Sequence, residues 1–466
     1  MDILIIEPTG AICINPNLGA FVKLLCDNAF HVDIVSLENN YSQDWSYPNS
    51  NLILCKRGSL EGNIPCLRKL KSAYNLIIGV DQSIIAASVI AEQMSVPFGF
   101  VSYEILFADE AGVEYKTIEI NACKNVSFAI SQDETRAILV SREYGIPLEK
   151  IFCVPVSDGF ERDIPKSDLL REHFNIPAGK KIALFSGAVT KRSMIDELLC
   201  EVNNWDSKWV LVLHSYIAFS KSEMRNFRKK YDTGKIYFSD LRITTIERLL
   251  NVMASADVGI SFFTPNFSSK YECKNTLFMG LSSGKFAMYL KAGLPVIINE
   301  IGEMSNLVRQ NDLGIVVQKM SQTNPSFLES MNIADLRDRC KKVYLRHFDF
   351  NRYSKGLLEI VKQSFETGTK RERNISVDPT SPLQRLSYIN QLSYWFNQAR
   401  DARTSKNYLL GQNIVSPNLL VWWLYKKVKA MAKKILRYEP RHFVLQFNDN
   451  LIGFYTSDIS KQPSIE

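Results

Sequence analysis

The amino-acid sequence predicts an α/β chain of two doubly wound domains followed by a basic, partly helical extension. Three observations predict it. Short apolar runs alternate with helical patterns over most of the first 350 residues, the alternation starts afresh near residue 160, and the composition turns polar and basic after residue 370. At 466 residues the chain also exceeds what one core holds, because single cores stop growing near ~250–300 residues.

In the first domain, residues 1–160, strands are expected at Ile3–Ile6, Val32–Leu37, Leu52–Leu54, Leu76–Val80, Phe98–Ser102, Val126–Ile130 and Ile151–Val156. Helical patterns such as Ala20–Asn28 and Glu134–Glu143 lie between them. The strand candidates are apolar throughout instead of alternating, the mark of parallel strands covered on both faces. Asp158-Gly159 and the polar stretch Glu161–Asp168 read as a linker. The second domain, residues 161–350, repeats the pattern with strands at Ile182–Ser186, Trp209–His214, Lys235–Phe238, Val258–Phe262, Pro295–Asn299 and Gly314–Val317. Within 351–369, Tyr353–Phe365 reads as a helix returning to the first domain. Open α/β sheets bind ligands beyond the carboxyl ends of their strands, so the two domains are expected to face one another across a cleft.

Composition is that of a globular protein, 46% hydrophobic and 23% charged, and excludes a disordered chain. The nine cysteines are scattered, without a Cys-x-x-Cys pair or a neighbouring His cluster; small core thiols in a reducing compartment are expected, not metal ligands or disulfides. The sequence opens directly on Ile3-Leu4-Ile5-Ile6, too short for a signal core, and no apolar stretch reaches the ~18 residues of a membrane span. A cytoplasmic location follows as the expectation.

The net charge of +7 is unevenly spread. Between Lys370 and Arg441 fourteen Lys and Arg stand against four acids, which leaves the rest of the chain near −3. The extension, residues 370–466, therefore carries its own partner signal. Around 417–437, Ser416-Pro417 opens a helical pattern whose apolar stripe is Val421, Leu424, Tyr425, Val428, Met431, Ala432 and Ile435. Six Lys and Arg flank the stripe and Trp422-Trp423 stand near its start. That arrangement suits a helix lying on an anionic membrane surface, peripheral to the cell membrane's inner face; the alternative is docking on the protein's own surface. No nucleic-acid motif accompanies the charge, and nucleic acid is not an expected partner.

The segment with most chemistry is Gly280–Asn299, GLSSGKFAMYLKAGLPVIIN. Ser282, Ser283 and Gly284 open a helix whose free N–H groups and hydroxyls form a ready anion site, and Lys285 adds a full charge. The segment resembles the donor-binding stretch of GT-B glycosyltransferases, particularly family 4 and its relatives, which reads roughly S-x-x-K-x-x-E-Y-x-x-x-G-x-P-V-I. Ser282, Lys285, Tyr289, Gly293, Pro295, Val296 and Ile297 match at the right spacing. The resemblance implies a GT-B fold, two Rossmann-like domains facing a cleft, with Ser282, Ser283 and Lys285 on the diphosphate of a nucleotide sugar.

Other stretches fall in order with the same family: Asn17-Leu18-Gly19 near the first helix, Ser131-Gln-Asp-Glu-x-Arg136, Val154-Pro-Val-Ser157, and Ser186-Gly187-Ala188 with Lys191-Arg192. By resemblance, Gly19, Gly187, Lys191 and Arg192 approach the donor. His214, closing a strand, is a further candidate nucleotide contact; Asp81, Tyr103, Glu104 and Glu119 are expected at or after strand ends facing the cleft, and Glu104, in Val101-Ser-Tyr-Glu, is the catalytic or acceptor-side candidate among them. One departure stands out. The family commonly carries two glutamates eight positions apart, and here those positions are Gly280 and Met288.

What the resemblance implies is metal-independent transfer of a sugar from its nucleotide diphosphate to an acceptor hydroxyl, with retention at the anomeric carbon and no cofactor. A lipid-linked or glycan acceptor, in surface polysaccharide or glycolipid synthesis, fits the basic extension. Two rivals remain: a GT-B scaffold that has lost catalysis and serves as a partner subunit, and a sugar-nucleotide epimerase of the same fold.

Overall fold

The computed structural model describes most of residues 1–368, with breaks at 39–44, 56–68, 160–163, 216–224 and 267–272 and at a few other positions, and then the strands at 444–448 and 451–455. The helix expected at 417–437 lies outside the described residues. The chain forms two compact units, Met1–Asp401 and Ala402–Glu466. In the second unit an antiparallel pair, Val444–Asn448 with Leu451–Tyr455, is described. Among the described residues no helix is long and apolar enough to cross a membrane.

The first unit holds two parallel sheets. Strands β1 (Asp2–Ile6), β2 (His31–Leu37), β3 (Ser50–Cys55), β4 (Leu76–Val80), β5 (Phe98–Val101), β6 (Phe128–Ser131) and β7 (Ile151–Cys153) form the first, in the order β3-β2-β1-β4-β5-β6-β7. Strands β8 (Lys181–Ser186), β9 (Trp209–His214), β10 (Ile236–Ser239), β11 (Val258–Ser261), β12 (Val296–Asn299) and β13 (Gly314–Val317) form the second, in the order β10-β9-β8-β11-β12-β13. Every residue of β4 and of β9 is buried. Each sheet reverses its winding beside its first strand, at β1/β4 and at β8/β11, where a doubly wound sheet opens a crevice.

The helices that matter below are α1 (Pro16–Asp27), α2 (Val113–Cys123), α3 (Glu134–Tyr144), α4 (Gly284–Lys291), α5 (Ile333–His347) and α6 (Asn351–Gly368). Helix α1 starts four residues before the expected Ala20. Asn15 is its N-cap, with Oδ1 accepting from Leu18 N at 3.0 Å, and Pro16 fills the first turn, where its missing N–H costs nothing. Strand β7 stops short of the expected Val156. Pro155 has no N–H to give, and the Val156 N–H donates to Leu281 O at 3.1 Å, outside the ladder.

Both faces of each sheet are covered. Leu4, Ile6 and Phe100 pack in one cluster, Ile3, Ile5 and Phe21 in another. Helix α6 completes the second of these: Leu357 and Val361 are buried in it, and the Phe365 ring stacks on Phe30 with centroids 5.8 Å apart. Each such aliphatic side chain contributes about 1.5–3 kcal/mol on burial. The described cysteines are free thiols, most of them buried; Cys200, by contrast, is exposed.

Candidate functional site

Helix α4 is built to present its first turn. Ser283 caps it with Oγ accepting from Phe286 N at 3.3 Å, so the N–H groups of Gly284 and Lys285 are left at the helix mouth, where the dipole is positive. Tyr289, fully buried, fixes the helix on the second sheet. Its hydroxyl accepts from Ser186 N at 2.8 Å and reaches Leu184 O and Ile260 O at 3.0 and 3.3 Å. The mouth thus faces the carboxyl end of β8. Gly284 also meets the first half of the chain: a Cβ there would lie 3.3 Å from Val156 Cγ1 and 3.7 Å from Pro16 Cγ.

Lys285, partly buried, places Nζ 4.4 Å from the ring centroids of both Phe185 and Phe263. Gly187, just past β8, leaves room for it, since a Cβ at 187 would sit 3.6 Å from Nζ. Desolvation by these surroundings, and secondarily the like charge of Arg192, pushes the ammonium down to about 7. Among the described residues no carboxylate stands within ion-pair distance of it. A desolvated cation on two aromatic faces, beside a second cation and a helix N-terminus, is an anion site of the kind that holds phosphate groups.

Arg192 lies in a short turn at Lys191–Ser193 and is partly buried; its carbonyl accepts from Thr264 N at 2.7 Å, which ties the turn to the end of β11. The side chain of Lys191 lies outside the described residues. Gly187 N donates to His214 O at 3.0 Å. His214 itself is enclosed, 1% exposed, with Nδ1 3.0 Å from Ser239 Oγ, and burial pushes its imidazole down to about 4, so it is neutral. Of the two serine hydroxyls, Ser282 donates to Met279 O and Ser283 caps α4, so both already serve the turn. Gly19 falls inside α1, buried against Tyr47. The helix cap is Asn15.

On the first sheet, Asp81, Tyr103 and Glu104 do come together. Asp81, buried at φ +48 just past β4, accepts from Tyr103 N and Glu104 N at 2.7 and 2.8 Å. Tyr103 OH donates to Asn17 Oδ1 at 2.7 Å, and Asn17 Nδ2 to Pro155 O at 3.1 Å. Glu104 is exposed and accepts from Asn275 Nδ2. Glu119 is not at a strand end: it lies within α2, 1% exposed beside Lys116, and burial, opposed by Lys116, raises its carboxyl to about 7.

Neither of the two positions lacking glutamate can offer a carboxylate to the cleft. Met288, 1% exposed, faces the core with Phe286 and Leu290. Gly280 has φ +54, and a Cβ there would lie 1.9 Å from Asp133 Oδ2. What the sequence reading missed is the neighbourhood that makes this so. Arg136, fully buried, donates through Nη1 to Phe278 O (2.9 Å), through Nη2 to Tyr103 O (2.7 Å) and Asn275 Oδ1 (3.2 Å), and through Nε to Gln132 Oε1 (2.7 Å). The Ser131–Arg136 stretch stood out in the sequence, but its partners Phe278 and Asn275, 142 and 139 residues away, did not.

Among the described residues no group of three His, Cys, Asp or Glu is arranged to hold a metal ion. The architecture is GT-B: two Rossmann-like sheets whose carboxyl ends frame the mouth of α4. A family model described as "Glucosyltransferase 3-like, C-terminal domain" matches residues 269–347, the stretch that contains this mouth. Among curated proteins none matches the sequence. Of solved structures, HepE of Anabaena in complex with UDP-glucose is 11% identical and aligns over 78% of this chain and 100% of its own, with a TM-score of 0.60. Sucrose-phosphate synthase from Thermosynechococcus elongatus is 15% identical over 79% of this chain and 100% of its own, with a TM-score of 0.58. A trehalose-6-phosphate structure from E. coli, bound with UDP-2-fluoro glucose, is 11% identical over 78% of this chain and 99% of its own, with a TM-score of 0.54. At these identities the likeness establishes the fold.

Proposed function

We propose that the chain is a glycosyltransferase that takes a sugar from a UDP-sugar and passes it to an acceptor hydroxyl. The observation that carries this reading is Lys285: a desolvated ammonium at the mouth of α4, matched by no protein carboxylate among the described residues. A diphosphate is the ligand that answers it. UDP is the favoured nucleotide because UDP-glucose, UDP with glucose, and UDP-2-fluoro glucose occupy structural neighbours, and because the family model over 269–347 is that of a glucosyltransferase-like domain.

In the transfer, the bond between the anomeric carbon and the diphosphate oxygen breaks while a bond to the acceptor oxygen forms. Negative charge grows on the leaving diphosphate, and the acceptor proton departs with it. Lys285, Arg192 and the N–H groups of Gly284 and Lys285 are placed to stabilise that charge; one such preset donor is worth about 3–4 kcal/mol in the transition state. Binding a diphosphate also draws the lysine's proton affinity back up, so the group is charged when it is needed. Retention at the anomeric carbon, independence of metal, and a glycan or lipid-linked acceptor at an anionic membrane surface are parts of the same proposal. Glu104, exposed at the carboxyl edge of the first sheet, is its acceptor-side candidate.

The test is release of UDP from UDP-glucose, set beside other UDP-, GDP- and dTDP-sugars, with and without lipid extract. Release is expected from a UDP-sugar, and Lys285→Ala lowers it by about 10²–10³ while the thermal melt stays within a few degrees. A chain that neither releases nor binds UDP is instead the non-catalytic GT-B scaffold, the reading favoured by Gly280 and Met288.

A further inference from the structure

The segment that leads into the mouth of α4 packs Met279 and Leu281 into the core of the second sheet, but its hydrogen bonds run to the first. From Cys273 to Leu281 the chain forms bonds with residues 104–110 and 133–136. Ile105 N donates to Asn275 Oδ1 at 3.0 Å, Lys274 N to Glu110 Oε1 at 3.0 Å, and the Phe107 and Phe278 rings lie 6.0 Å apart. Arg136 reaches Phe278 O and Asn275 from beneath. At the end of the segment, Asp133 does two things at once. Its Oδ1 caps α3 by accepting from Arg136 N at 2.9 Å, and its Oδ2 accepts from Leu281 N at 2.8 Å. Leu281 O then accepts from Val156 N. Two residues later comes Ser283, the cap of α4, and after it Gly284 and Lys285.

Gly280 records how close this contact is. Its φ of +54 belongs to the left-handed region, and no side chain fits between it and the Asp133 carboxylate. The tie therefore fixes the backbone immediately ahead of the helix mouth. We propose that Asp133 is a positioning residue: from the first sheet it sets the approach of residues 278–283, and so the aim of the Ser283–Lys285 mouth, before any ligand arrives. The inference rests on the reading of that mouth as a diphosphate site. Its consequence is that Asp133, in the first half of the chain, tunes donor affinity without touching the donor.

Arg136 is the wrong residue to test, because removing a buried guanidinium with four partners threatens the fold itself. Asp133→Asn is selective. Asparagine caps helices as well as aspartate does, so Oδ1 keeps the Arg136 N–H, whereas the amide now set against Leu281 N–H is a donor facing a donor. UDP binding to the full-length protein by titration calorimetry gives both affinity and the number of competent sites. The expected result is a Kd about tenfold higher at unchanged stoichiometry, the scale of losing one hydrogen bond to a charged group, with Asp133→Glu recovering part of it. A Kd equal to wild type overturns the proposal, including the case where stoichiometry alone falls, since a merely structural role removes sites without weakening those that remain. Wild-type protein that binds no UDP overturns the diphosphate reading and the positioning role together, whereas unchanged variants of a UDP-binding wild type overturn only the latter.

Discussion

Helix α4 carries a lysine near each end, and the protein treats the two in opposite ways. At the last turn, Lys291 is buried and paired with Asp158, whose side chain is fully enclosed, under the Tyr344 ring. Charge meets charge, and the C-terminal end of the helix favours the cation as well. At the first turn, Lys285 stands at the unfavourable end of the dipole, over two phenylalanine rings and near Arg192. One lysine closes a contact within the chain. The other is held at a cost that no carboxylate among the described residues offsets.

Exchanging the pair's fates gives the largest expected effect. Lys285→Ala lowers turnover by about 10²–10³, as loss of one preset donor does, with little change in melting temperature. Lys291→Ala breaks the buried ion pair with Asp158, which costs about 3–5 kcal/mol, and lowers the melting temperature while the folded molecules retain UDP affinity. Equal loss of stability in both variants breaks the contrast.

A second test uses pH. The folded-state value of Lys285 near 7 lies below its ordinary 10.5. Between those values the unfolded chain binds the proton more than the folded chain does, so this group makes stability rise with pH across that window and stop rising above it. UDP affinity runs the other way, falling as pH climbs from 7 toward 9, because the neutral amine attracts no phosphate. Lys285→Met removes both slopes; denaturant midpoints and calorimetry at stepped pH read them. The smallest effect belongs to Ser283→Ala, which uncaps α4 and costs about 1 kcal/mol by chemical denaturation.

The fold was legible because buried parallel strands need apolar residues on both faces, and Leu76–Val80 or Trp209–His214 can hardly be anything else. Ser283 and Lys285 were legible for a related reason, since helix capping and the charge beside it are local in sequence. Boundaries failed where a single group decided them. Pro155 ended β7, and Asn15-Pro16 began α1 four residues ahead of the expected Ala20. Glu119 misled because its spacing says nothing of Lys116 waiting one turn away inside the core. The tie between Asp133 and Leu281 spans 148 residues, and no periodicity reports such a distance.

Tyr289 and Gly259 have a consequence of their own. The tyrosine ring lies where a Cβ on Gly259 would come within 2.6 Å, and its hydroxyl holds the end of β8. The two positions are therefore one unit of inheritance. In relatives of this chain any side chain at 259 should travel with a smaller residue at 289, and a graft of the donor helix onto another sheet must carry its glycine with it.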